Sequence, residues 1–129
     1  MIALAATVDG VFRVDLEEEV VLDAAGAPVA PAMRVELTLP LVVASDAVGS
    51  TVIAVVGRRP PLLVSNDAGI TWREAGGGLP AGRSIALDPD DPDRALYAAR
   101  NRLYVSTDGG RFWRAVAVEL PEIEAVAWE

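Results

Sequence analysis

The sequence contains no cysteine, no histidine and no lysine. Without cysteine there are no disulfides and no thiolate chemistry. Without histidine the commonest general base near neutral pH and the commonest zinc ligand are missing. The eleven basic residues are all arginine and face nineteen acidic ones, for a formal net charge of −8. A surface of that sign does not displace counterions from nucleic acid and does not dock on anionic lipid. Although 52% of residues are hydrophobic, no uninterrupted apolar run approaches the ~20 residues that span a bilayer. The opening MIALAATVDG has no basic residue ahead of its short apolar part, unlike a secretory leader. These absences predict a cytoplasmic protein with no nucleic-acid and no membrane partner. A chain of 129 residues reads as one domain that buries roughly two thirds of its unfolded surface.

What the chain does contain is a repeat. SNDAGITW (65–72) returns forty-one residues later as STDGGRFW (106–113). With that offset Ser65, Asp67, Gly69, Trp72, Arg73, Leu79 and Pro80 fall on Ser106, Asp108, Gly110, Trp113, Arg114, Leu120 and Pro121. A degraded third copy stands in front. ALAATVDGVFRV (3–14) aligns with ALYAARNRLYVS (95–106), and MRVELTLP (33–40) falls near WRAVAVELP (113–121). In that copy Val14 and Leu16 occupy the Ser and Asp positions, and LEEEVVLDAAGAPVAP replaces the turn. Each unit breaks into four short apolar runs, such as SIALD, ALYAA, RLYVS and WRAVAVEL, bounded by Gly, Pro, Asp and Asn. Such runs predict β-strands, and four antiparallel strands per ~40 residues make one blade of a β-propeller. The octapeptide then joins the third and fourth strands. Its Ser and Asp pin backbone groups, its Gly takes a positive φ, and its Trp packs between blades.

Ser65-Asp67-Gly69-Thr71-Trp72 and Ser106-Asp108-Gly110-Phe112-Trp113 resemble the Asp-box, the bacterial-neuraminidase repeat of sialidases, Vps10-type receptors and photosystem-assembly propellers. Phe112 departs from the usual Thr. The resemblance covers about two thirds of the chain, the first unit poorly. It implies fold more than function, because Asp boxes in that family are structural turns facing away from the active site.

The fold expected is all-β: three four-stranded antiparallel blades per chain, completed to a six-bladed ring by a homodimer. Propellers typically close with four to eight blades, and three leave open edges. EIEAVAWE (122–129) matches a first, innermost strand, while Met1 opens at a second strand. With blades following one another in chain order, the two ends lie half a ring apart. The expected units are therefore residues 1–40 plus a partner chain's 122–129, then 41–80, then 81–121. Three chains in a nine-bladed ring, or a fragment of a longer propeller, are the alternatives.

Connections between second and third strands, and between blades, share one end of a propeller. They place Arg58, Arg59, Arg83, Arg100 and Arg102 on one rim, opposite the Asp boxes and DPDDPD (88–93). Arginine clamps carboxylates and phosphates through planar two-point contacts, so a small anionic ligand or a protein partner is expected there. Solvated turn residues are the plainer reading of the same arginines. DPDDPD reads as a rigid acidic turn rather than a calcium loop, because its carboxylates have no ordered ligand spacing. GGGLPAG (76–82) has no Lys and no P-loop pattern. Trp128, on an innermost strand, reads as core packing or as a sugar-stacking ring. Tyr97 and Tyr104 lie within strands. No catalytic residue, no metal site and no cofactor is predicted. The expected function is a non-enzymatic binding or assembly scaffold, with a sialidase-like glycoside hydrolase acting on an acidic sugar as the alternative.

Overall fold

The computed structural model describes residues 1–25 and 41–129. These residues form twelve strands and no helix: β1 Ile2–Thr7, β2 Gly10–Asp15, β3 Val20–Ala25, β4 Val42–Val48, β5 Thr51–Val56, β6 Leu62–Ser65, β7 Arg73–Ala75, β8 Ser84–Asp88, β9 Asp91–Ala99, β10 Arg102–Ser106, β11 Arg114–Ala115 and β12 Ile123–Trp128. They assemble into three four-stranded antiparallel sheets. The first has the order β12-β1-β2-β3, the second β4-β5-β6-β7, and the third β8-β9-β10-β11.

The sequence dictates this through a period of two. In β1 the buried Ala3 and Ala5 alternate with the partly exposed Ile2, Leu4 and Ala6, so one face enters the core. The strands of the third sheet have no polar alternation, because both faces of that sheet are covered. One cluster packs Leu96, Ala98, Leu103 and Val105 of the third sheet against Ala3, Ala5, Val14 and Val126 of the first. A second cluster packs Ile85, Leu87, Ala95 and Tyr97 of the third sheet against Ile53, Val55, Leu62 and Val64 of the second. The third sheet therefore lies between the other two.

This order corrects the strand exchange expected from the sequence. Residues 122–129 are not lent to a second copy. β12 pairs with β1 of the same chain, with Ala3 opposite Trp128 and Ala5 opposite Val126. The Glu129 amide donates to the Ile2 carbonyl at 3.0 Å. The physical reason is the order of the stack, which runs second sheet, third sheet, first sheet. The first sheet sits next to the last strand instead of preceding the second sheet. A further correction concerns the fourth strand of the first sheet. It is Val20–Ala25, reached through a tight turn at Leu16–Glu19, within the stretch that takes the place of the octapeptide turn. The stretch 33–40 that was aligned with a fourth strand lies outside the described residues.

Candidate functional site

Both octapeptides form the expected turn between third and fourth strands, one in the second sheet and one in the third. The Ser65 hydroxyl donates to Asp67 Oδ1 at 2.7 Å and accepts the Gly69 amide at 2.8 Å. Asp67 also accepts the Thr71 amide at 2.8 Å and the Thr71 hydroxyl at 2.5 Å. The Trp72 indole donates to the Gly69 carbonyl at 3.1 Å. In the second copy the distances repeat: Ser106 to Asp108 at 2.8 Å, Gly110 amide to Ser106 at 2.9 Å, and Trp113 indole to Gly110 carbonyl at 2.8 Å. Each turn needs two successive left-handed residues, Ala68 and Gly69 in one and Gly109 and Gly110 in the other. Hydrogen bonds from Thr71 and Ser65 hold the Asp67 carboxyl down at about 2, and the Phe112 amide with Ser106 lowers that of Asp108. Both carboxylates are saturated by their own turn. That is the signature of a structural turn.

The residue after each Trp has a role that the sequence reading did not assign. Arg73 crosses to the third sheet and donates to the Gly109 carbonyl. Arg114 crosses to the first sheet and donates to the Leu16 carbonyl at 3.0 Å and to Glu19 at 2.8 Å. The signal was present as a repeated Trp-Arg pair. What it contacts depends on how the sheets stack, which the repeat alone does not specify. Two further links close on β8. Asp46 of β4 accepts the Leu87 amide at 2.8 Å, and the Trp128 indole of β12 donates to the Ala86 carbonyl at 3.1 Å. The edge of the central innermost strand is thus capped from both sides. Trp128 packs against the core between the first and third sheets, so packing is the reading that holds.

The five arginines lie at the end of the stack away from the two octapeptide turns. Arg58 and Arg59 occupy the β5–β6 turn, Arg83 leads into β8, Arg100 sits in the β9–β10 turn, and Arg102 opens β10. All but Arg102 are exposed. The structure groups them by sheet. The Arg83 amide donates to the Ala98 carbonyl at 2.9 Å and the Ile123 amide to the Arg100 carbonyl at 2.6 Å, which brings 83, 100 and the 116–122 connection to one corner. Arg59 lines a depression of about 310 Å³ with Pro60, Pro61, Gly78, Leu79 and Pro80. The rim is not purely basic, because Glu122 stands 3.6 Å from Arg83. The support beneath it is rigid. The fully buried Tyr97 donates its hydroxyl to the Pro80 carbonyl, and a Cβ on Gly82 would lie 2.1 Å from the Tyr97 ring.

At the opposite end each octapeptide turn borders a shallow depression, of about 230 Å³ beside Trp72 and about 260 Å³ beside Trp113. DPDDPD is pinned by its own chain. The Asp90 amide donates to Asp88 and the Asp93 amide to Asp91, while Arg94 lies 3.7 Å from Asp88 and 3.5 Å from Asp91. No group of three or more Asp or Glu able to hold a metal occurs among the described residues. No helix among them is long and apolar enough to cross a membrane. Burial pushes the Tyr97 phenol up to about 12, and its ring meets Tyr104 at 6.0 Å and Trp113 at 5.9 Å. The chain matches no family model and no curated protein sequence.

Proposed function

We propose that the three sheets are blades of a propeller-type module that binds an anionic small molecule or acidic peptide at the Arg-bearing end. Four-stranded antiparallel sheets, stacked face to face with Asp-box turns at one end, support the architectural part of this reading. The observation that carries the functional part is the segregation of charge. Arg58, Arg59, Arg83, Arg100 and Arg102 gather at one end of the stack, while both Asp boxes and the acidic 88–93 turn occupy the other. In a chain of net charge −8, a local cluster of planar cations gives the anion a favourable approach. The depression at Arg59 supplies an apolar, proline-walled seat beside a guanidinium.

Hydrolysis fits less well. A glycosidase general acid needs a carboxyl whose pKa is raised. Among the described residues the carboxyls displaced are Asp15, Asp67, Asp108 and Glu129, and all four are displaced downward. Tyr97, the better placed of the two tyrosines for a nucleophile by burial alone, spends its hydroxyl on Pro80.

The test is an amide chemical-shift titration with inorganic phosphate, citrate and N-acetylneuraminic acid as probes. Shifts are expected at 57–61, 76–83 and 100–102 and not at 65–72 or 106–113, with Arg59→Ala weakening the strongest probe at least tenfold. Uniform small shifts, or equal shifts at both ends, would remove the reading. A fluorogenic sialoside is expected to remain uncleaved.

A further inference from the structure

The described arginines divide by what they touch. Away from the Arg-bearing end, each has a partner. Arg13 pairs with Glu129, and Arg94 with Asp88 and Asp91. Arg73 donates to the Gly109 carbonyl, Arg111 to the Asp108 carbonyl at 3.0 Å, and Arg114 to Glu19 at 2.8 Å. At the Arg-bearing end Arg83 has Glu122 at 3.6 Å. The guanidinium groups of Arg58, Arg59, Arg100 and Arg102 make no hydrogen bond or ion pair among the described residues. Their charge is available to an outside group.

The free charges are ordered across the stack. The connection between second and third strands carries Arg58 and Arg59 in the second sheet and Arg100, with Arg102 just beyond it, in the third. In the first sheet the same connection is Val8 and Asp9. The Asp9 carboxylate is exposed and has no partner among the described residues. Backbone bonds hold the first and third of these sheets together here. The Val8 amide donates to the Glu122 carbonyl at 3.0 Å, and the Ile123 amide to the Arg100 carbonyl at 2.6 Å. Glu122 and Glu124 are exposed at the same corner. From second sheet through third to first, the signs run positive, positive, negative. The depression walled by Pro60, Pro61 and Pro80 lies at the positive extreme of that row.

We propose that this end binds a peptide in the polyproline II conformation, laid across the three sheets, with acidic side chains over the second and third and a basic one over the first. The proposal rests on the anion-binding reading above and adds a ligand class, an order of charges and a spacing. The order excludes a uniform polyanion, which would set like charge against Asp9, Glu122 and Glu124. The spacing comes from the stack, since sheets packed face to face lie about 10 Å apart. A β-strand presents side chains on one side at roughly 7 and 13 Å and misses that interval. A polyproline II helix repeats every three residues at about 3.1 Å each, so every third side chain faces the same way at roughly 9 Å. The ligand therefore reads acidic, two spacers, acidic, two spacers, basic.

The experiment titrates the full chain calorimetrically, at low ionic strength because exposed ion pairs are screened by salt. The probes are acetylated, amidated peptides. EPPEPPK has the stated order and spacing, EPPKPPE the same composition in the wrong order, and EPEPPPK the wrong spacing. EPPEPPK is expected to bind about tenfold more tightly than EPPKPPE and at least threefold more tightly than EPEPPPK. It is also expected to bind better than the uniformly acidic EPPEPPE. Asp9→Arg, on an exposed turn, is expected to reverse that last preference while leaving the β-sheet circular dichroism unchanged. If citrate still shifts the 57–61 and 100–102 amides but the peptides bind equally, this proposal falls and the anion-binding reading stands. If neither citrate nor any peptide binds, both fall. A preference for EPPEPPK that Asp9→Arg leaves untouched also overturns the proposed alignment.

Discussion

In the second and third sheets the turn from third to fourth strand is built on Ser65 with Asp67 and on Ser106 with Asp108. In the first sheet the same turn, at Leu16–Glu19, is held by Asp15, whose Oδ1 accepts the Glu17 and Glu18 amides at 2.9 and 3.0 Å. The Glu18 amide lowers the Asp15 carboxyl, as Thr71 and Phe112 lower its counterparts. The carboxylate-to-amide chemistry survives where the octapeptide does not. What changes is the rest of the turn. Leu16 is fully buried against the third sheet, and Arg114 binds its carbonyl. A position that is polar in the second and third sheets has become an apolar plug in the first. The comparison teaches that the turn requires a carboxylate facing free N–H groups, while the Ser and the Trp are additions specific to two sheets.

The sharpest separation is expected between the two tryptophans. Trp113 packs on the core between second and third sheets and meets Tyr97 edge-on, whereas Trp72 belongs to neither core cluster of the described residues. Trp113→Ala is expected to cost about 3 kcal/mol, at the low end for a buried aromatic, and Trp72→Ala less than half of that in urea unfolding. Equal losses would mean that both rings wedge sheets together.

Next come the carboxylates. Asp67 accepts bonds from Ser65 and from two groups of Thr71, so Asp67→Ala is expected to lower the melting temperature more than Asp15→Ala. The pH dependence has a definite sign. Asp67 has a folded value of about 2, below the ordinary 3.8, so the unfolded chain binds the extra proton. Its contribution is complete above pH 4 and lost as pH falls toward 2. Asp67→Ala should therefore flatten the acid limb of a melting-temperature profile between about pH 4 and 2, and an unchanged limb would separate the carboxylate from the turn's stability.

The smallest effect concerns Ala68, which holds a φ of 59° where the second box has Gly109 at 74°. Left-handed backbone costs an L-residue roughly 1–2 kcal/mol, and glycine gives back about 0.4–1 through the unfolded chain. Ala68→Gly is expected to stabilise by about 0.5 kcal/mol, measured by the same urea transition. A loss would show that the first box tolerates alanine through a compensating contact.

The strands of the second and third sheets were legible because the repeat phases turn residues against alternating apolar runs. Asp67 and Asp108 could be placed in their turns before any coordinates, since their partners lie within four residues. The turn at Asp15 was not legible, because a motif search weighs the Ser and Asp positions and passes over the chemistry that replaced them. Neither was the stacking order. It depends on the face of the third sheet that meets Ala3 and Ala5, and both faces are equally apolar in sequence. The strand exchange expected from chain order failed for that reason alone. The Arg rim could be located by strand counting, but Glu122 beside Arg83 could not, because its position depends on β12 returning to β1.

That return has a consequence for how the molecule is made. During synthesis on the ribosome, β1 to β3 emerge well before β12, the strand that completes their sheet. The second and third sheets can settle as soon as they leave the exit tunnel. The first must keep the long edge of β1 unpaired until Trp128 is free, and loop closure over that span is slow. The first of the three sheets to emerge is thus the last to be finished, and a nascent chain stalled short of β12 would carry the edge most prone to pair with a stranger.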